Sequence, residues 1–198
     1  MCVDFIIVGQ GIAGTCFAFE LLRQKKTFII IDNYVPDSSS QVALGVYNPI
    51  ILKWFTKPWK VDKQINLFYS FYNEFNHFLK EDLYDDIGIY KYLHTAGDQN
   101  NWLVKSKSIH RSKYMSSKLF ELDNINLINS NFYGLINQAG KLNVQRLLKL
   151  FRRYCLIENI LIEKKFIYKD LDITKSDIKY KNINAKNIIF CEGSSAVY

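Results

Sequence analysis

An α/β fold opening on a βαβ unit is what this sequence predicts, from three observations. A strand-length apolar run, Val3 to Val8, leads straight into Gly9-Gln10-Gly11-Ile12-Ala13-Gly14. Apolar residues then recur at helical spacing, at Ile12, Cys16, Phe19 and Leu22, and a second strand-length run, Thr27 to Ile31, ends in Asp32. In a G-x-G-x-x-G unit Gly9 allows the tight turn out of the strand, Gly11 lets a pyrophosphate approach the backbone, and Gly14 lets helix and sheet pack closely. The helix N-terminus turns free amides toward an anion. An acid roughly 20 residues on, here Asp32, accepts hydrogen bonds from a ribose hydroxyl. The opening stretch therefore predicts a dinucleotide-binding site.

The bulk composition agrees with a globular chain. Its 198 residues are 48% hydrophobic and 23% charged, with 3 Pro, enough for a sizeable core. No run reaches the roughly 18 apolar residues of a membrane span. The start, Met1-Cys2-Val3-Asp4, has no basic n-region, so a cytoplasmic protein is expected. Cys2, Cys16, Cys155 and Cys191 lie far apart without a C-x-x-C pair. They argue against zinc, a redox pair or a disulfide scaffold and read as small buried hydrophobes. A formal charge of +7 is spread over the chain and reads as a basic surface rather than a polyanion site.

After Asp32 the chain leaves the repeating βα pattern. A polar loop, Asn33 to Ser40, contains Ser38, Ser39 and Ser40, which can cap a helix or bond cofactor oxygens. A semi-apolar segment, Gln41 to Trp54, follows. Val61, Ile65, Phe68, Tyr72, Phe75 and Leu79 predict a helix over 61–80 with an aromatic core stripe. His77, His94 and His110 have no second ligand at metal spacing. A strand is expected over 87–93, a short helix over 102–107 capped by Asp98, a polar segment to Lys118 and a strand over 132–137. Residues 53–140 thus read as an inserted, aromatic-rich α+β unit.

The chain then returns to α/β style. Asn143 caps a helix with Val144, Leu147, Leu148, Phe151, Tyr154 and Cys155 on one face and Arg146, Lys149 and Arg153 on the solvated one. Strands are expected over 156–163 and 165–168, then a hairpin over 170–184, and finally a buried strand, Ala185 to Cys191, ending at Glu192-Gly193. Because ligands bind at the carboxyl ends of such strands, Glu192 and Gly193 are expected to face the same crevice as Gly9 to Gly14.

IIVGQGIAGTCFAFELL with FIIID, SSSQVALGVYNPIILKW, KLNVQRLLKLF and KNIIFCEG, in this order, resemble the flavin-dependent oxidoreductases typified by D-amino-acid oxidase, glycine oxidase and sarcosine oxidase. The resemblance covers most of the chain and is loose between about 81 and 130. It implies FAD as cofactor and a Rossmann-like FAD-binding domain, residues 1–52 and 141–198, interrupted by an inserted substrate-side domain, residues 53–140. By position it implies Gly9, Gly11, Ile12, Ala13 and Gly14 at the diphosphate, Asp32 at the ribose, and Ser39 and Ser40 near the diphosphate or flavin. Glu192 and Gly193 would border the cofactor, and Phe166 would offer backbone contacts to adenine. Ile51-Leu52 departs from the smaller, more polar pair that the family carries after Asn-Pro. Family members are much longer, so a truncated or split product is expected, lacking the C-terminal third.

The implied chemistry is hydride transfer from the carbon beside an amine to the flavin, with a small amine or amino acid as substrate. No metal cluster, carboxylate pair or Ser/His/Asp set competes for a catalytic role. Tyr47, Asn48 and Lys53 are the nearest polar residues on the flavin side, and none is assigned as catalytic. Two alternatives stand beside this reading: a non-catalytic FAD-binding remnant needing a further segment, and a tRNA methylaminomethyl-uridine-type oxidase, mildly favoured by the basic charge. A nicotinamide dehydrogenase is disfavoured by the break in the βα pattern after Asp32.

Overall fold

The computed structural model describes residues 1–121, 132–174 and 177–196. The predicted βαβ unit is present: β1 (Cys2–Val8), α1 (Ile12–Arg23) and β2 (Phe28–Ile31), with β1 and β2 parallel and Val8 opposite Ile31. A single helical turn follows, α2 (Ser39–Val42). Helix α1 buries Gly14, Thr15, Ala18, Phe19 and Leu21, a face rotated from the Cys16–Leu22 stripe. Small side chains at 14, 15 and 18 let the helix lie close to the sheet, leaving Cys16 and Leu22 at the edge of that contact.

The next elements are β3 (Val46–Tyr47), α3 (Val61–Leu79), β4 (Tyr84–Asp85), β5 (Ile89–Tyr92), α4 (Ala96–Ser106), β6 (Met115–Phe120), β7 (Tyr133–Ile136) and β8 (Gly140–Leu142). Strands β3, β8 and β4 form one antiparallel sheet, and β5, β7 and β6 another. Helix α3 has the predicted length but fully buries only Val61, Ile65 and Phe75 of its stripe. Helix α4 starts six residues earlier than its periodicity suggests. Its cap is Thr95, whose hydroxyl accepts from Asp98 N (3.0 Å) while the Asp98 carboxylate accepts from Thr95 N (3.1 Å), a capping box that places Asp98 inside the first turn. The polar segment before Lys118 contains a strand, because β6 has β7 as a partner and Met115 is buried. Ile50, Phe55, Val61, Trp102, Tyr114 and Ile136 belong to the core of this part.

The last elements are α5 (Val144–Ile157), β9 (Leu161–Ile162), β10 (Leu171–Ile173), β11 (Ile178–Tyr180) and β12 (Ile183–Phe190). Asn143 caps α5 by accepting from Arg146 N (3.0 Å), and Val144, Leu147, Leu148, Phe151 and Cys155 are buried as the periodicity requires. The helix runs through Ile157, so the strand expected over 156–163 is reduced to β9. The strand expected over 165–168 is irregular backbone entering a 3-10 turn at Tyr168–Asp170. The predicted hairpin is present as antiparallel β10 and β11, and β12 returns parallel to β1 with Ile7 opposite Ile189. One six-stranded sheet results, in the order β10-β11-β12-β1-β2-β9. Alternation along the strands divides its residues between the two faces. Ile6, Val8, Ile29 and Ile31 cluster with Phe166, Tyr180, Ile183 and Ala185, and Ile7 and Ile30 lie on the other face.

Two compact units account for these elements: Met1–Ala43 with Asn143–Tyr198, and Leu44–Leu142. Among the described residues no helix is long and apolar enough to cross a membrane. Of the cysteines only Cys155 is fully buried, whereas Cys2 is exposed and Cys16 and Cys191 are half-buried. The expectation of four buried hydrophobes is corrected because Cys2 starts the sheet at its open end, where Met1 is also exposed.

Candidate functional site

The candidate site lies at the carboxyl ends of β1, β2 and β12, where the chain must turn three times within a small volume. Gly9 N donates to Ile31 O (2.9 Å) and Cys191 N donates to Val8 O (2.7 Å), which draws the three strand ends together. Gly9 takes φ +98°, and a Cβ there would stand 2.5 Å from Cys191 O. A Cβ on Gly14 would stand 2.0 Å from Gly9 O. Only glycine fits both positions, so the loop is closed on itself and on β12 by backbone contact.

A crevice of about 620 Å³ opens over this loop. Gly9, Gly11, Asp32, Ser39, Ser40 and Phe166 line it, and so do Glu192 and Gly193, the two expected to share the crevice. Ile12, Ala13 and Gly14 lie behind the lining, in the first turn of α1, whose amides have no acceptor within the helix. One of those amides already has a partner: Ile12 N donates to Ser40 Oγ at 3.0 Å. Ser40 therefore sits where an anion would meet the helix end, and its hydroxyl proton remains to be donated outward. Ser38, at the start of α2, makes no side-chain capping bond. Phe166 is buried, its ring stacked on Tyr180 at 4.5 Å, which fits a packing role for the side chain.

Asp32 anchors the other end. Its Oδ1 accepts from Gln10 N (2.8 Å) and its Oδ2 accepts from Arg152 Nη1 (2.6 Å). The same Nη1 reaches Gln10 Oε1 (2.9 Å), while Arg152 Nη2 donates to Glu163 Oε1 (2.8 Å). Gln10 is held in turn, its amide donating to Thr15 Oγ1 (3.3 Å) and Leu148 O (3.1 Å). Across the crevice Tyr168 donates its hydroxyl proton to Glu192 Oε2, and its ring lies parallel to that of Phe190. Burial pushes the Cys191 thiol up, and burial pushes Cys155 up to about 12 against the opposing pull of Arg152. Both thiols are protonated at neutral pH and poor nucleophiles.

Arg152, Gln10 and Tyr168 were not among the residues expected at the site. Helical spacing offered a signal for Arg152: it lies four residues after buried Leu148 and three before buried Cys155, on the inward edge of α5, unlike Arg146, Lys149 and Arg153. Gln10 and Tyr168 carry no comparable signal, since their roles depend on long-range contacts. In the second unit, Tyr47 donates to Asp85 O and Asp86 Oδ1, each at 3.3 Å, and burial followed by the Asp86 charge pushes its phenol up. Asn48 Oδ1 accepts from Ile50 N (2.9 Å), a local turn bond, and Lys53 Nζ stands 4.7 Å from the centre of the Trp54 ring. His77, His94 and His110 are exposed, and the described residues contain no His, Cys, Asp or Glu group arranged to hold a metal.

This arrangement defines an α/β fold with a crevice over a glycine loop, an acid at its second strand and a tight return beside the first. No protein-family model matches the chain. Solved structures share the fold. Glycine oxidase from Bacillus cereus superposes with a TM-score of 0.67 at 16% identity, over 95% of this chain and 54% of that one. Iminodiacetate oxidase from Chelativorans sp. gives 0.68 at 15% identity, over 94% and 54%. L-amino acid deaminase from Proteus vulgaris gives 0.67 at 15% identity, over 95% and 46%. The chain spans about half the length of the structures it matches. The α/β architecture expected from the sequence resemblance is thus the architecture of these enzymes.

Proposed function

We propose that the crevice binds FAD and that the chain carries the cofactor-binding part of an oxidoreductase acting on a small amine or amino acid. The observation that carries this reading is the joint placement of the glycine loop, Asp32, Ser40 and Glu192-Gly193 on one crevice at the carboxyl ends of β1, β2 and β12. The residues fit the group. Gly9 and Gly11 line the crevice without side chains, so backbone faces the ligand at the loop, and Gly14 behind them lets α1 approach the Gly9 carbonyl. The first turn of α1 supplies a favourable dipole and the amides of Ala13 and Gly14 for a diphosphate, while Ile12, whose amide is already bonded to Ser40 Oγ, meets it through that hydroxyl. Ser40 offers its hydroxyl proton beside them, and Asp32 offers carboxylate lone pairs to the ribose hydroxyls. Phe166 borders the adenine side with its backbone, while Ser39 and the Glu192-Gly193 turn border the rest of the cofactor. The unit Met1–Ala43 with Asn143–Tyr198 serves as the FAD-binding part and Leu44–Leu142 serves the substrate side, a boundary earlier than the expected residue 52 because β3 pairs with β8.

Bound there, FAD would supply the hydride acceptor that no side chain of the chain can provide. The names of the solved structures that share the fold, glycine oxidase, iminodiacetate oxidase and L-amino acid deaminase, support an amine or amino acid as the donor. The test is anaerobic mixing of FAD-loaded protein with a panel of amino acids and secondary amines. Bleaching of the oxidised-flavin absorbance by at least one of them is expected. FAD-loaded protein that stays oxidised across the panel overturns the oxidoreductase reading.

A further inference from the structure

We propose that Arg152 is the positioning residue of the ribose end of the crevice, holding Asp32 in the orientation that presents its free lone pairs to ribose hydroxyls. The inference rests on the reading of the crevice as a dinucleotide site. It starts from the number of elements that converge on one guanidinium. From α5, Arg152 reaches Asp32 at the end of β2, Gln10 in the glycine loop and Glu163 just after β9. Its guanidinium carbon also lies 5.5 Å from the centre of the Tyr34 ring, in the loop that follows β2. Three separate segments, at residues 10, 32–34 and 163, are thus set by one planar fork, a geometry that a guanidinium supplies and an ammonium does not.

The accessibilities locate the pair at the wall of the site. The side chains of Arg152 and Asp32 retain 12% and 17% of their exposure, whereas Glu163 retains 55%. The Arg152–Asp32 contact is therefore sheltered from solvent yet lines the crevice, and the Glu163 contact is its solvent-side tether. Each Asp32 oxygen has one structural donor, Gln10 N on Oδ1 and Arg152 Nη1 on Oδ2. A carboxylate has about four lone-pair sites, so these two bonds fix its plane and leave acceptors for a ligand diol. Without Arg152, Oδ2 loses its charged donor, and the carboxylate is free to rotate about the single bond that Gln10 N makes.

Arginine here acts through Asp32 rather than on the ligand, which sets the experiment. ADP and 2′,3′-dideoxy-ADP are titrated calorimetrically into the full chain, its Arg152→Met variant and its Arg152→Lys variant. Wild type is expected to prefer ADP by about tenfold, the scale of a hydrogen bond to a charged group. Arg152→Met should reduce that preference to about twofold or less while changing dideoxy-ADP affinity little, and Arg152→Lys, which keeps charge without the fork, should fall between. In an Asp32→Asn background, Arg152→Met should add nothing further. Where the Met variant does not melt like wild type, the Lys variant carries the same comparison. A variant that keeps the wild-type preference, or loses both ligands equally, overturns the positioning role. Wild type that binds neither ligand overturns the dinucleotide reading itself, and wild type that binds both equally overturns only the ribose role of Asp32 and Arg152.

Discussion

Gly14→Ala probes the closure of the glycine loop, because its cost follows from one distance. The Cβ would stand 2.0 Å from Gly9 O and 3.1 Å from Gly9 C, whereas an ordinary carbon–oxygen contact begins near about 3.3 Å. Something must retreat by roughly 1.3 Å, and the obstacle is backbone that is itself hydrogen-bonded to β2 through Gly9 N. Overpacking of this kind costs about 1–3 kcal/mol and more where backbone must move. Alanine returns up to about 1 kcal/mol of helix propensity, so the net expectation is destabilisation by about 2 kcal/mol. For a chain of this length that lowers Tm by about 4–8 °C. Gly97→Ala is the control: it lies in the first turn of α4, and its nearest neighbour would be Thr95 Oγ1 at 3.5 Å, an ordinary contact. That variant should melt at or slightly above wild type. Thermal melts followed by circular dichroism decide the matter, and a Gly14→Ala protein as stable as Gly97→Ala would refute the close approach of α1 to the loop.

Other expectations concern the rest of the chain. A Cβ on Gly134 would stand 2.3 Å from the ring of Trp102, the buried member of the three tryptophans, Trp54 and Trp59 being exposed. Gly134→Ala should therefore displace the indole, break its bond to Ser116 O (2.9 Å) and shift tryptophan emission to the red, whereas an unchanged spectrum would contradict this packing. Asp4 is held well below the usual carboxylate range, first by its bond from Lys186 and then by bonds from Thr27. A carboxylate depressed in the folded state contributes stability above its unfolded pKa, about 3.9, and loses it as pH falls further. Asp4→Asn should narrow the gap between melting temperatures at neutral pH and at pH about 2–3, and equal acid sensitivity in both proteins would count against the pairing.

The βαβ unit is legible in the sequence because each of its signals is local. Apolar runs give β1 and β2, the glycine spacing gives the turn, and Asp32 follows β2 directly. The cap of α5 at Asn143 and its buried face are legible for the same reason. Elsewhere partners override local preference. Met115–Phe120 forms a strand because β7 lies beside it, and Lys165–Tyr168 is irregular because Phe166 turns onto Tyr180. Asp98 signals a helix start correctly in kind, yet the capping box places Thr95 at the boundary. At the site, periodicity assigns the solvated face of α5 well and puts Arg152 on its inward edge, but it cannot name the partners, which lie 142 residues away at Gln10 and 120 away at Asp32. The serine loop is read from composition, and only the fold shows that Ser40 rather than Ser38 meets the helix α1 amide.

Cofactor retention distinguishes an FAD crevice from any other cleft at these strand ends. Wild type and Gly11→Val are incubated with FAD, desalted, and read by absorbance, with the released nucleotide identified after denaturation. A Cβ at Gly11 would already stand 3.0 Å from Ser40 Oγ, and valine carries two further methyls at the mouth of the crevice. Wild type is predicted to emerge yellow and to release FAD, and Gly11→Val to emerge colourless while melting as a folded protein. A wild-type protein that stays colourless after reconstitution, or a valine variant that retains FAD equally well, would contradict the assignment of this crevice as the FAD site.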